Sequence, residues 1–231
     1  MSHPLYQITE INQVVQAEGI LNAPEVTIRT LVFDSRKLSD VEHSLFFALS
    51  GRRDGHEYLQ DAYDQGIRNF VISDDSKLSK RYKDVNILLV NDTLHALHRL
   101  TSWHRTHYNY PVMAITGSNG KTVVKEWLYQ LLAPEKNLIR SPKSYNSQIG
   151  VPLSVWEMND EHSMAIFEAG VSHTGEMINL AKIIQPTIGL LTNIGEAHNE
   201  GFADREEKIR EKLLLFENTD LFIYSPKYLK G

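Results

Sequence analysis

The chain has no cysteine, which excludes disulfides and thiolate metal sites and suits a reducing compartment. It has no run near the ~18 apolar residues that a membrane span needs. Its first residues, MSHPLYQITEINQ, lack the basic and apolar regions of a secretory leader. Positive charge is not in surplus either. With 24 Lys and Arg against 29 Asp and Glu, the net charge is -5, so nothing draws the whole chain to nucleic acid or to an anionic membrane. A phosphate-bearing ligand must therefore be held by a local site. No tandem repeat or low-complexity tract is evident. What remains, 231 residues of which 42% are hydrophobic and 23% charged, reads as a globular protein with room for two domains, expected in the cytoplasm.

The stretch VMAITGSNGKTVVKEWLYQLL, residues 112–132, organises the rest. An apolar β-type run leads into Thr116-Gly117-Ser118-Asn119-Gly120-Lys121-Thr122. Val124, Trp127, Leu128, Leu131 and Leu132 then fall at helical spacing. Strand, glycine loop and helix in that order converge backbone N–H groups and the positive end of a helix dipole on an anion. Lys121 adds a mobile charge and Thr122 a hydroxyl for Mg²⁺. The usual nucleotide-loop pattern G-x-x-x-x-G-K-[ST] is met imperfectly, because Ile115 stands at its first glycine and Gly117 shortens the loop.

Residues 1–108 read as one small α/β unit, with a helix at 8–17, extended runs at 26–33, 44–49, 69–73 and 86–90, a helix opened by Asp54-Gly55-His56, and a last helix at 93–108. His95, His98, His104 and His107 on that last helix have no carboxylate or cysteine in register, so a metal site there is not favoured. Asn109-Tyr110-Pro111 breaks the helix and marks the expected boundary, giving domains 1–108 and 109–231. From Pro111 strands are expected at 112–116, 137–140, 164–168, 187–193 and 220–225. Helices are expected at 122–132, 152–158, 175–184 and 204–216. Such alternation calls for a mostly parallel sheet, whose ligands bind beyond the carboxyl ends of the strands. The polar residues there are the 116–122 loop, Glu168, and Asn193 with Glu196 and His198. Glu168 ends an apolar strand and suits an oxygen-bound cation such as Mg²⁺ beside a phosphate loop. In the loop SPKSYNSQIGVP, Asn146 is a candidate for a substrate or phosphate contact, although spacing alone does not separate it from Ser144 or Ser147.

The segments TGSNGKT, YNSQIGVPL, FEAGVSHTGEM and TNIGEAHNEGF, in that order and spacing, resemble the ATP-dependent Mur ligases of bacterial cell-wall synthesis. Within that family Lys125-Glu126, Ile149-Gly150-Val151-Pro152 and the segment around His173 look most like members that join D-alanyl-D-alanine to UDP-N-acetylmuramoyl-tripeptide. The N-terminal segment DSRKLSDVEHSLFFALSGRRDGHEYLQDAYDQG resembles their UDP-sugar-binding domain, which is shared with the member adding the third peptide residue. The resemblance implies an α/β chain with a small UDP-sugar-binding domain and a P-loop ATPase domain. Its substrates would be ATP and the two peptide partners. It implies that Gly117 to Thr122 hold phosphates, that Lys121 neutralises charge on the transferred group, and that Thr122 and Glu168 hold one Mg²⁺. His198 would help hold a second Mg²⁺ near Asn146. On DREEKIREKLLLFEN, Lys212 would take the place of a carbamylated lysine, with Lys208 the fallback. Ser35, Arg36, Asp54, Gly55 and His56 would help form the UDP-sugar site.

Mur ligases have a third, C-terminal domain, so the resemblance also implies a truncated ATPase domain and a fragment with little ligase activity of its own. Two other readings use part of these features. A P-loop small-molecule kinase explains the loop but not the first unit. A non-catalytic UDP-sugar-binding module gives no reason for Lys121, Thr122, Glu168 and His198 together.

Overall fold

A computed structural model of the chain describes residues 4–34, 36, 40–51, 53–77, 82, 84–195 and 201–228. It divides into two compact units, Met1–Leu100 and Thr101–Gly231. No helix among the described residues is long and apolar enough to cross a membrane.

In the first unit, β1 (Tyr6–Gln7) leads into α1 (Ile8–Val15), followed by β2 (Glu18–Leu21), β3 (Thr27–Ile28), β4 (Thr30–Val32) and β5 (Ser44–Phe47). A 3₁₀ turn, Gly55–Tyr58, runs into α2 (Leu59–Asp64). Then come β6 (Asn69–Ile72), β7 (Asn86–Leu89) and α3 (Thr93–Arg105). The sheet order is β2-β7-β6-β5-β4, parallel except where β2 runs against β7. The run expected as one strand at 26–33 is two, because it changes partner at Arg29. β3 pairs with β1 and β4 with β5, while the N–H groups of both Arg29 and Thr30 donate to the His43 carbonyl. A buried asparagine ladder crosses the strand starts, with Asn86 donating to Asn69 at 2.7 Å and Asn69 to the Ser44 carbonyl at 3.1 Å. These buried amides are thereby satisfied within the core.

The second unit contains β8 (Val112–Thr116), α4 (Lys121–Leu132), β9 (Leu138–Arg140), α5 (Gly150–Trp156) and β10 (Met164–Glu168). It continues with α6 (Met177–Ile184), β11 (Ile188–Leu191), α7 (Arg205–Leu213) and β12 (Leu221–Ile223). All five strands are parallel, in the order β12-β11-β8-β10-β9. Alternation along the strands serves both faces of the sheet. Val112, Ala114, Ala165 and Phe167 join the larger core with residues of α5 and α6. Met113, Ile115, Met164 and Ile166 pack on the other side under Val124, Leu128 and Leu132 of α4.

Two sequence expectations shift. The apolar face of α4 is rotated: Trp127 and Leu131 are 63% and 73% exposed, and Lys125 is fully buried on the inward side. The division between units falls inside α3 rather than at 108/109. Arg105 of that helix donates to the carbonyls of Tyr108, Ile184 and Gln185, so its last residues belong to the second unit. His104 is buried there against Trp156, ring centroids 4.6 Å apart. Among the described residues no three or more His, Asp or Glu gather as a metal cluster.

Candidate functional site

The sheet order reverses at β8: the chain goes from β8 to β9 and β10 on one side, then to β11 and β12 on the other. The crevice beyond the carboxyl end of such a strand is where parallel sheets take their ligands. The loop after β8 lies there, and its shape is fixed locally. Gly117 has φ 146°, and a Cβ on it would sit 2.0 Å from the Thr192 hydroxyl, so only glycine fits. Gly120 caps α4 in the left-handed region. The segment after β11 grips the loop: the Ser118 N–H donates to the Asn193 carbonyl and the Asn119 N–H to the Asn193 Oδ1, at 2.9 and 3.0 Å. The Thr192 hydroxyl donates to the Asn119 carbonyl at 2.6 Å. Thr116 donates to the Ala169 carbonyl beyond β10 at 2.7 Å.

Lys121 folds back, its amine 2.8 Å from the Gly117 carbonyl. Burial pushes its pKa down, opposed by the Glu168 charge. One residue on, the Thr122 hydroxyl donates to Glu168 Oε2 at 3.0 Å. Glu168 is fully buried at the end of β10. Its other oxygen, Oε1, pairs with the Lys125 ammonium at 2.9 Å, and its N–H donates to the Ser141 hydroxyl at 3.2 Å. Lys125 also reaches the carbonyls of Ser141 and Lys143 and the Glu126 carboxylate. Neither the ion pair of Lys125 nor the part of Ser141 was read from the sequence. The available signal was a lysine one helical turn after Lys121, on the side of α4 that faces the sheet.

Of the three candidates in the 141–152 loop, Ser144 is exposed and the Ser147 hydroxyl accepts the Gly150 N–H. Asn146 is the one tied to the strand ends. Its carbonyl accepts the Gly170 N–H at 2.8 Å, and its carboxamide lies where a Gly170 side chain would be.

Helix α7 is not the solvated charged helix that its composition suggests. Asp204 caps it, accepting the Glu207 N–H at 2.7 Å, and Lys208, Glu211 and Lys212 are all buried. Glu211 accepts the first N–H of α6, at Met177, 2.7 Å away. Lys208 donates to the Gly195 carbonyl at 2.6 Å. The Lys212 pKa is pushed down to about 8, first by burial and then by the ammoniums of Lys121 and Lys208. Lys121 at the end of the loop after β8 is thus joined by Lys208 and Lys212, an electropositive setting that suits a polyphosphate. His198 and Glu196 lie outside the described residues.

The donors beside the loop fit magnesium in kind. The Thr122 hydroxyl and the Glu168 carboxylate are hard oxygens on adjacent elements, and Mg²⁺ ordinarily completes its shell with phosphate oxygens and water.

In the first unit, Arg36 is an exposed guanidinium held by both oxygens of Asp34 at 2.8 Å. It borders a cavity of about 270 Å³ with Phe33, Asp34, Arg53, Tyr58 and Asp61. Ser35 lies outside the described residues. Asp54, Gly55 and His56 do not line this cavity. Asp54 accepts the His56 N–H and pairs with its Nδ1 at 2.6 Å, while His56 Nε2 accepts the Ser73 N–H at 3.0 Å. Both ring nitrogens are engaged within the fold. Gly55 lets the turn approach Leu49, whose N a Cβ would meet at 2.6 Å.

Residues 115–224 match the family model of the Mur ligase middle domain. A UDP-N-acetylmuramoyl-tripeptide–D-alanyl-D-alanine ligase of Rickettsia prowazekii is 36% identical over 202 residues, covering 87% of this chain and 44% of the relative. The enzyme of the same name from Haemophilus influenzae is 34% identical, over 88% of this chain and 44% of its own. Among solved structures, MurF from Acinetobacter baumannii superposes with a TM-score of 0.84 at 27% identity, over 95% of this chain and 48% of that one. MurF ligase from Thermotoga maritima, solved in complex with ADP, gives a TM-score of 0.74 at 25% identity, over 86% of this chain and 48% of that one. The chain spans less than half the length of the curated relatives it matches.

Proposed function

We propose that the chain, whose residues 115–224 match the Mur ligase middle domain and whose curated relatives are up to 36% identical, carries the UDP-substrate-holding and ATP-using parts of a ligase joining D-alanyl-D-alanine to UDP-N-acetylmuramoyl-tripeptide. The observation that carries this reading is the Lys121 amine and the Thr122–Glu168 pair standing together beside the glycine loop at the point where the strand order reverses.

The chemistry asks for little beyond positioning and charge. A carboxylate is a poor electrophile, so the terminal carboxylate of the tripeptide first takes the γ-phosphoryl group of ATP. The amine of the dipeptide then attacks the acyl phosphate, phosphate leaves, and an amide and ADP remain. Charge develops on the phosphoryl oxygens, and fixed donors aimed at them lower the barrier. The phosphates lie against the 116–122 loop and the N-terminal end of α4, while the Ser118 and Asn119 N–H groups stay bound to Asn193 and hold the loop's shape. Lys121 exchanges the Gly117 carbonyl for a phosphate oxygen. Asn146 is positioned for the transferred group or the substrate carboxylate. Magnesium, when bound, neutralises phosphoryl charge; Thr122 and Glu168 would hold one ion, and His198 with a carbamylated Lys212 a second. A lysine whose pKa is lowered to about 8 has a larger share of neutral amine, which adds carbon dioxide and releases a proton to become an anionic oxygen donor. In the first unit the cavity beside Arg36 suits a diphosphate and a nucleoside ring. The absence of cysteine suits a reducing compartment such as the cytoplasm.

The test is nucleotide binding. Lys121→Ala lowers the affinity for a fluorescent ATP analogue about 10- to 100-fold, the scale of one charge-assisted contact, and leaves UDP binding unchanged. Equal ATP-analogue affinity in the variant would remove the phosphate site.

A further inference from the structure

Lys125 is a fully buried charged group in the second unit to which this reaction gives no part. Its ammonium donates to the Ser141 and Lys143 carbonyls and forms an ion pair with Glu168 Oε1 at 2.9 Å, with Glu126 Oε1 3.2 Å away. Glu126 in turn pairs with Arg140 at 3.2 Å. Two cations and two carboxylates thus form a closed, neutral group at the foot of the phosphate loop. Lys143, at the corner that Lys125 holds, has φ 50°, a conformation a lysine rarely adopts unless its surroundings impose it. That corner opens the loop carrying Asn146. One side chain therefore ties α4 to the end of β10 and to the 141–147 loop.

Resting on the ATP-site reading above, we propose that Lys125 is a positioning residue that makes divalent-metal capture depend on nucleotide. It fixes Glu168 by Oε1, so that Oε2 is presented beside Thr122, and it balances the carboxylate charge before any ligand arrives. A free divalent ion then finds no net negative charge at the site, and the surrounding Lys121, Lys208 and Lys212 oppose it further. The ion enters as the counter-charge of the nucleotide phosphates, which overcome that opposition. The arrangement keeps the ion from occupying the loop ahead of the nucleotide.

Manganese, followed by electron paramagnetic resonance, reports this directly in the purified chain without nucleotide. The wild type binds Mn²⁺ no more than about twofold tighter than Glu168→Gln, whereas Lys125→Met, which frees the carboxylate, binds it about tenfold tighter or more. The gain disappears in the Lys125→Met/Glu168→Gln double variant. Lys125→Arg, which keeps the charge, returns Mn²⁺ binding to the wild-type level. With ADP present, Glu168→Gln weakens Mn²⁺ retention relative to the wild type. A folded Lys125→Met chain, checked by circular dichroism, that binds Mn²⁺ as weakly as the wild type overturns the proposal. So does a wild type that already binds Mn²⁺ tenfold tighter than Glu168→Gln without nucleotide, a comparison that decides the matter even if Lys125→Met does not fold. Failure of the phosphate reading shows separately, as ATP-analogue binding indifferent to Lys121→Ala.

Discussion

Lys212 is 1% exposed and has neighbours of its own sign, so its proton is easily lost from the folded chain. With the folded value about 8 and the ordinary value 10.5, the unfolded chain holds more protons between those two limits. Stability therefore rises with pH across that window, and the whole cost of the buried charge is present below about 8. Each tenfold loss of proton affinity on folding corresponds to about 1.4 kcal/mol. Lys212→Met, of similar size and uncharged, is expected to be more stable than the wild type by roughly 1–3 kcal/mol at neutral pH. The gap closes as pH climbs toward the ordinary lysine value, as urea denaturation across that range would register. A gap independent of pH would place the ionisation elsewhere. The same lysine supplies a check on its modification: ¹³C-labelled bicarbonate should give a carbamate carbon resonance in the wild-type chain that Lys212→Met lacks.

At the level of elements, α7 shows how a helix of low apolar content is held in a core. Its start is local. Asp204 caps it, and Glu207 returns a bond to the Ala203 N–H at 2.6 Å, a reciprocal pattern of the capping-box kind. Asp204→Ala is expected to cost about 1 kcal/mol, seen as a fall in melting temperature of about 2–4 °C for a chain of this size. An unchanged midpoint would mean that the helix start is held by tertiary contacts alone. The cap was legible in the sequence, because Asp followed by Glu three residues later is a local signal. The burial of Lys208, Glu211 and Lys212 was not, since it follows from Glu211 bonding to the first N–H of α6, far away in the chain. The same contrast holds elsewhere. β8 was legible to the residue, an apolar run between Pro111 and Gly117. The buried face of α4 was misread, because hydrophobic spacing has no means of showing that Lys125 turns inward to Glu168. β2, with the sequence EGIL, offers neither alternation nor a long apolar run and forms by pairing against β7. Ser141 is a site residue only because β9 ends beside β10.

For the molecule as a whole, the two units present different chemistry, and each ligand should leave its mark on one of them. Three strand ends of the second unit supply the loop, Glu168 and Asn193, so a nucleotide bridging them stabilises that unit by linkage, about 2.7 kcal/mol at a hundred times its dissociation constant. Amide hydrogen exchange with a non-hydrolysable ATP analogue and Mg²⁺ is expected to slow at residues 116–122, 141–147, 168–170 and 192–195. These are joined by the hydrogen bonds of Ser118, Asn119 and Gly170 to their neighbours, and cooperative protection spreads through such contacts. UDP as the probe should instead slow exchange around residues 33–36 and 53–61, the borders of the cavity in the first unit. The two patterns are expected to add when both ligands are present. Protection of 53–61 by the ATP analogue alone, with none at 116–122, would reverse the assignment of ligands to units. A mutational control separates binding from general stiffening: Lys121→Ala should lose the nucleotide pattern and keep that of UDP, because the Lys121 amine is held at the loop on which the first pattern depends.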